Sequence, residues 1–269
     1  MLLSGLKKIT DMILNKFSYP VNYPGLRIET AYIKRNYPDN QIPGSIVCIG
    51  DSNTFGWNYR YQFSYPELLE KKLNACNANV KVLNCGIGGN TISDGYERFK
   101  NDILFFNPET AVINFGLNDG MLIKLNRNNN IKKKSNLLYE LNNNYYGLKV
   151  EPGSFKLYLE NMVKKLQDNL IKVILVGLYK INKVKSGIVY SGDKKLVSLQ
   201  NAVYKQYDNY IKELALKNNV IFFDLWNKLD NYEKIKNCIQ NDGFHLKAEG
   251  YKLIADNLCS IILKNCFFK

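Results

Sequence analysis

Histidine is almost missing from this chain: there is one imidazole, His245, in 269 residues. A metal centre built from two or three imidazoles is therefore excluded. Six cysteines are present (Cys48, Cys76, Cys85, Cys238, Cys259 and Cys266), but none forms a C-x-x-C pair. That removes zinc-ribbon and thioredoxin-like redox readings. Apolar neighbours, as in Val47-Cys48-Ile49, make these cysteines read as reduced core thiols. No metal and no cofactor are expected. Also missing is any run approaching the ~20 apolar residues of a membrane span. Near the start, apolar residues at Leu2, Leu6, Ile9, Ile13 and Phe17 have helical spacing but are interrupted by Lys7, Lys8 and Asp11. The apolar region of a signal peptide is not there, so a cytoplasmic location is expected, with envelope association the alternative. The stretch predicts a short amphipathic helix packed on the domain, or else a basic interfacial anchor or partner-binding helix.

What the chain does contain is a regular alternation. Near-continuous apolar runs at Ser45–Gly50, Val80–Asn84, Thr110–Phe115, Val173–Gly177 and Val220–Asp224 suit strands buried on both faces of a parallel sheet. Between and after them, helical patterns run over Tyr65–Asn74, Ile92–Phe105, Ser154–Asn169, Leu196–Lys217 and Lys247–Leu263. Five such repeats predict one doubly wound α/β domain over residues 45–269. Residues 1–44, with four prolines, form an irregular lead-in to it. One connection is too long: an Asn/Lys-rich insert at about 120–153, of the size expected for a lid, a binding loop or a disordered segment.

Ligands of parallel sheets sit beyond the carboxyl ends of the strands, and four small polar motifs fall there. They are Gly50-Asp51-Ser52-Asn53, Gly86-Ile87-Gly88-Gly89-Asn90, Gly116-Leu117-Asn118-Asp119 and Asp242-Gly243-Phe244-His245. A serine hydroxyl needs a base to become a nucleophile, and His245 is the only imidazole available to Ser52. Asp242, three residues earlier, can share a turn with His245 and orient its ring. The backbone N–H groups of Ser52 and Gly89 and the side-chain amide of Asn118 are candidate donors to an oxyanion. Asp51 and Asp119 read as holders of backbone and neighbouring loops. Phe55, Trp57, Tyr59 and Tyr61 can line an acyl or sugar site, or simply pack. A dinucleotide-binding reading of the glycines around Gly88 fails, because Thr91 stands where the third glycine belongs.

In this order the motifs resemble the signature blocks of the SGNH hydrolases, the GDSL esterase/lipase family, over roughly residues 45–263. Asn53 stands where leucine is commoner. The resemblance implies a flavodoxin-like three-layer α/β/α sandwich on a five-stranded parallel sheet. It also implies ester hydrolysis through an acyl-serine intermediate, with Ser52, Asp242 and His245 catalytic and Ser52, Gly89 and Asn118 as the oxyanion hole. The expected substrate is a small acyl ester, acetyl on a carbohydrate foremost. An O-acyltransferase or a lipase using the same triad, and a glycan-binding module without turnover, are the alternatives.

The net charge is +13, and residues 120–200 hold fifteen basic against five acidic side chains, leaving the remainder nearly balanced. Without a nucleic-acid-binding motif this excess does not point to nucleic acid. A solvated surface accounts for it. Alternatively, Lys132, Lys133 and Lys134 border the site and attract an anionic substrate. The oligomeric state is left open by the sequence.

Overall fold

A computed structural model describes residues 45–58, 63–125, 139–186, 189–230 and 232–265. The predicted amphipathic stretch at residues 1–17, Tyr59, Tyr61, Lys132 to Lys134 and Cys266 lie outside the described residues. Five parallel strands form the main sheet: β1 (Ile46–Gly50), β2 (Val82–Gly86), β3 (Thr110–Asn114), β7 (Lys172–Val176) and β10 (Ile221–Phe223). Their order is β10-β7-β3-β1-β2. Every residue of β1, β2 and β3 is buried, which is why their sequences read as near-continuous apolar runs rather than alternations.

The helices are α1 (Ser52–Phe55), α2 (Tyr65–Ala75), α3 (Ile92–Asp102), α4 (Pro152–Asp168), α5 (Lys194–Lys217), α6 (Leu225–Lys228), α7 (Tyr232–Cys238) and α8 (Ala248–Lys264). From β1 the chain steps to β2 on one edge through α2. It then returns in the opposite direction, through α3 to β3, α4 to β7 and α5 to β10. Right-handed crossovers running in opposite directions put their helices on opposite faces. Accordingly α3 packs on α4 and α4 on α5, while α2 packs on α8. The result is the expected three-layer α/β/α sandwich. Its direction reversal lies at β1, the switch point where such sheets bind ligands.

The predicted elements are present, with shifted ends. The strand expected at Val80–Asn84 is Val82–Gly86, and the helix expected to reach Phe105 stops at Asp102, followed by a 3-10 turn at Leu104–Phe106. The long insert carries structure of its own: β4 (Leu122–Leu125), β5 (Tyr139–Leu141) and β6 (Asn144–Leu148) make a small antiparallel sheet ordered β4-β6-β5. The turn between β5 and β6 is Asn142-Asn143, with φ of 51 and 58. Two left-handed residues in a row are what a two-residue hairpin requires, and asparagine tolerates them. A further hairpin pairs β8 (Val184–Ser186) with β9 (Val189–Ser191). Cys48, Cys85, Cys238 and Cys259 are buried and form no disulfide, but Cys76, at the carboxyl end of α2, is exposed and not a core residue. Among the described residues no helix is long and apolar enough to cross a membrane.

Register aligns Gly50 with Gly86 on one side and with Asn114 on the other, so three motif loops leave the sheet at one level. Arg98 of α3 ties that level together. Its guanidinium donates to Gly50 O at 3.0 Å, Cys85 O at 2.8 Å and Asn90 Oδ1 at 2.9 Å, and pairs with Asp102 at 2.5 Å. Arg98→Met leaves these largely buried acceptors without a donor, and should lower the unfolding free energy in urea by about 3 kcal/mol. A loss under ~0.5 kcal/mol, the range of ordinary surface substitutions, would show that the strand ends do not depend on it.

Candidate active site

The first loop is shaped by Asp51. As N-cap of α1 its Oδ1 accepts from Asn53 N at 2.8 Å, a short polar residue doing what helix starts require. This places Ser52 at the head of a helix that begins directly beyond β1. Ser52 is 3% exposed, and its N–H, in the first helical turn, has no intrahelical acceptor.

The fourth loop brings the base. Asp242 Oδ1 accepts from the backbone N–H groups of Phe244 (2.9 Å) and His245 (3.0 Å), so one carboxylate oxygen folds the turn that carries it. Gly243 sits at φ +75, and a Cβ there would lie 2.2 Å from Asn182 Oδ1 and 2.6 Å from the Lys183 backbone N. Only glycine fits both the dihedral and the space. The other carboxylate oxygen, Oδ2, meets His245 Nδ1 at 2.6 Å, and His245 Nε2 meets Ser52 Oγ at 3.1 Å. Asp242, His245 and Ser52 are thus joined in one chain of hydrogen bonds. Burial alone would raise the Asp242 carboxyl. Its bonds to the imidazole and to the two backbone N–H groups outweigh that and hold it below the usual carboxylate range.

The ring of His245 is clamped on two sides. Trp57 stacks on it with centroids 5.1 Å apart and planes 17° from parallel, and Phe244 meets it edge-on at 5.0 Å. An indole face favours a cation above it, so the stack also suits the imidazolium. Among the aromatics singled out in the sequence, the structure ties Trp57 to the base.

Two polar side chains that the sequence did not single out lock the loops together. Gln240 donates to Trp57 O at 3.1 Å and Leu246 O at 2.7 Å, and accepts from Asn58 Nδ2 at 2.9 Å. Arg98 holds Asn90 and the strand ends, as described above. Asn53 adds a third link: its Oδ1 accepts from Leu246 N at 3.1 Å, directly beyond the histidine. The departure from leucine therefore connects the serine turn to the histidine turn. No period or spacing marks such long-range pairs; only the folded geometry reveals them.

Gly89 is exposed at φ +75, and a Cβ there would meet nothing within 4 Å. Its surface is open to a ligand. Asn118 lies beside it, but its amide nitrogen faces two protein acceptors, Asn90 O at 3.1 Å and Asp51 Oδ2 at 3.3 Å. A donation from Asn118 to a substrate requires the longer of these to give way. Beneath this loop Asp119 Oδ1 accepts from Ile92 N at 2.8 Å, while its Oδ2 is buried with no partner. Burial, with the Asp51 charge nearby, pushes Asp119 up to about 7, and burial pushes Asp51 up to about 6. Both acids serve as loop holders, as expected from the sequence.

Comparison with known proteins identifies the family. The model of the GDSL-like Lipase/Acylhydrolase family matches residues 48–253, and the chain belongs to that family. It is 38% identical over 80 residues to the uncharacterized lipoprotein YqeF of Bacillus subtilis (strain 168), covering 29% of this chain and 33% of that protein. It is 29% identical over 82 residues to an arylesterase of Vibrio mimicus, covering 30% and 41%. The matched segments thus span less than half of either curated relative. The crystal structure of the lipase/acylhydrolase from Enterococcus faecalis superposes with a TM-score of 0.61 at 22% identity, over 82% of this chain and 96% of that one.

The raised acids set a pH dependence of stability. Folded Asp119 keeps its proton up to about pH 7, whereas an unfolded aspartate releases it near pH 4. Between those values the folded state binds more protons, so stability falls as pH rises. Asp119→Asn, which keeps the Oδ1 acceptor, should make that decline shallower and leave the variant the more stable at about pH 8. Urea unfolding at several pH values measures it; an unchanged slope would contradict the assignment.

Proposed function

We propose that the protein is a carboxylic ester hydrolase in which Ser52 is the nucleophile, His245 the general base and acid, and Asp242 the group that orients and stabilises the imidazolium. The observation that carries this reading is the bonded chain from Asp242 Oδ2 to His245 Nδ1 (2.6 Å) and from His245 Nε2 to Ser52 Oγ (3.1 Å). Ser52 Oγ attacks the ester carbonyl carbon as its proton passes to His245 Nε2, and the carbonyl electrons move onto oxygen. The tetrahedral adduct collapses, the alcohol leaves with the proton from His245, and the acyl group stays on Ser52. Water, deprotonated by His245, repeats the attack and releases the carboxylic acid, restoring the serine.

Charge on the oxyanion is met by Ser52 N–H, Gly89 N–H and the Asn118 amide, the last turning away from its 3.3 Å bond to Asp51. Backbone donors of this kind need little reorganisation as the charge develops. The open face at Gly89 and the polar groups around it, Asn90 and Asn118, suit a short acyl group rather than a long apolar chain. The relative named as an arylesterase supports a small ester. An acetylated carbohydrate remains the leading substrate class from the sequence, and a rate profile across acyl lengths and acetylated glycans separates it from a lipase.

Ser52→Ala should abolish turnover of p-nitrophenyl acetate while leaving the circular dichroism spectrum unchanged. Undiminished turnover would sink the assignment. Asn118→Ala should reduce kcat by about 10²-fold, the usual effect of losing one oxyanion donor. A kcat within a factor of about two would remove Asn118 from the oxyanion hole, since a donor of that kind cannot be lost so cheaply.

A further inference from the structure

The long insert ends next to the oxyanion loop, and one of its side chains reaches it. Lys149, immediately after β6, donates from Nζ to Gly89 O at 2.7 Å. The segment that carries it is fixed at its far side. Val150 N donates to Asp119 O at 3.0 Å, and the Tyr207 hydroxyl donates to Val150 O. The insert is therefore fastened to the third motif loop and extends its lysine across to the second.

The contact falls where the backbone is least restrained by its own sequence. Gly88 and Gly89 are adjacent glycines, Gly89 is exposed, and nothing packs where a Cβ would be. Such a pair can rotate its peptide planes with little steric resistance. The peptide between Gly89 and Asn90 is held at one end by Asn90 N donating to Ile87 O at 3.2 Å. Lys149 holds the other end, the carbonyl. With both ends held, that plane resists turning its oxygen toward an oxyanion, and the preceding Gly88–Gly89 plane, which carries the Gly89 N–H, has one of its two neighbours held still. An ammonium also suits the electrostatics of this place. Asp51 and Asp119 lie close enough that its charge draws both acids downward, against their burial.

We propose that Lys149 is a positioning residue for the oxyanion hole, acting through the Gly89 carbonyl. This rests on the ester-hydrolase reading of the same site. The excess positive charge of the central segment then has a catalytic use at one position, separate from attraction of an anionic substrate.

The test is steady-state hydrolysis of p-nitrophenyl acetate by the full chain and by Lys149→Met and Lys149→Arg. Lys149→Met should lose kcat by about tenfold or more with KM little changed, because a misdirected donor weakens only the transition state. Lys149→Arg, which keeps a charged donor, should recover most of the rate. A Lys149→Met kcat equal to wild type overturns the proposal. So does a variant whose KM rises for a half-ester bearing a free carboxylate while kcat holds, since the ammonium then reads substrate instead. Lack of turnover by the unmodified chain overturns the hydrolase reading and this proposal together, whereas an active wild type with an equally active Lys149→Met overturns this proposal alone.

Discussion

Ser52 and His245 stand 193 residues apart in the chain, and the 3.1 Å bond between them is the contact on which the site depends. A hydrogen bond of that length cannot hold two distant segments by itself; its net worth is about 1 kcal/mol. The segments are brought together instead by the sheet and by α2 against α8, and then fastened locally. Asn53 to Leu246, Gln240 to Trp57 and Leu246, and the Trp57–His245 stack supply that fastening. The Asn53 bond, the Gln240 bond to Trp57 and the stack work between the serine turn and the histidine turn, and the Gln240 bond to Leu246 braces the histidine turn itself.

The same edge of the sheet concentrates buried acid. Asp51 and Asp119 are almost fully buried in a protein whose surplus charge is positive. Their burial destabilises the ionised fold, while their oxygens direct Asn53, Asn118 and Ile92. Stability is given up here for geometry, a common arrangement at functional sites. Arg98 and Lys149 place positive charge beside the same loops, one beneath the strand ends and one over the open side.

The architecture was largely legible in the sequence, because a parallel sheet buried on both faces leaves apolar runs that no surface constraint interrupts. The relay was legible for a different reason. With one histidine in the chain, a serine after the first strand had one possible base, and Asp242 lay at a spacing that a turn can close. Other parts left no such trace. The antiparallel sheet of the insert hid behind Asn142-Asn143, which reads as compositional bias until its two positive φ angles identify a hairpin turn. Gln240, Arg98 and Lys149 act through contacts to backbone carbonyls far along the chain, and carbonyls carry no sequence signal. The sequence offers Asn118 as a candidate donor, but that its amide already faces Asp51 and Asn90 is a fact of packing alone.

Everything proposed for this site requires that His245 activate Ser52, and covalent labelling probes that activation without knowledge of the substrate. The intact protein is treated with a fluorophosphonate, and its mass and modified peptide are measured beside a His245→Ala variant. One adduct on Ser52 is expected in the unaltered chain, with little or none at the same time in the variant. Equal labelling of both, or an adduct on a different residue, would contradict activation of Ser52 by His245.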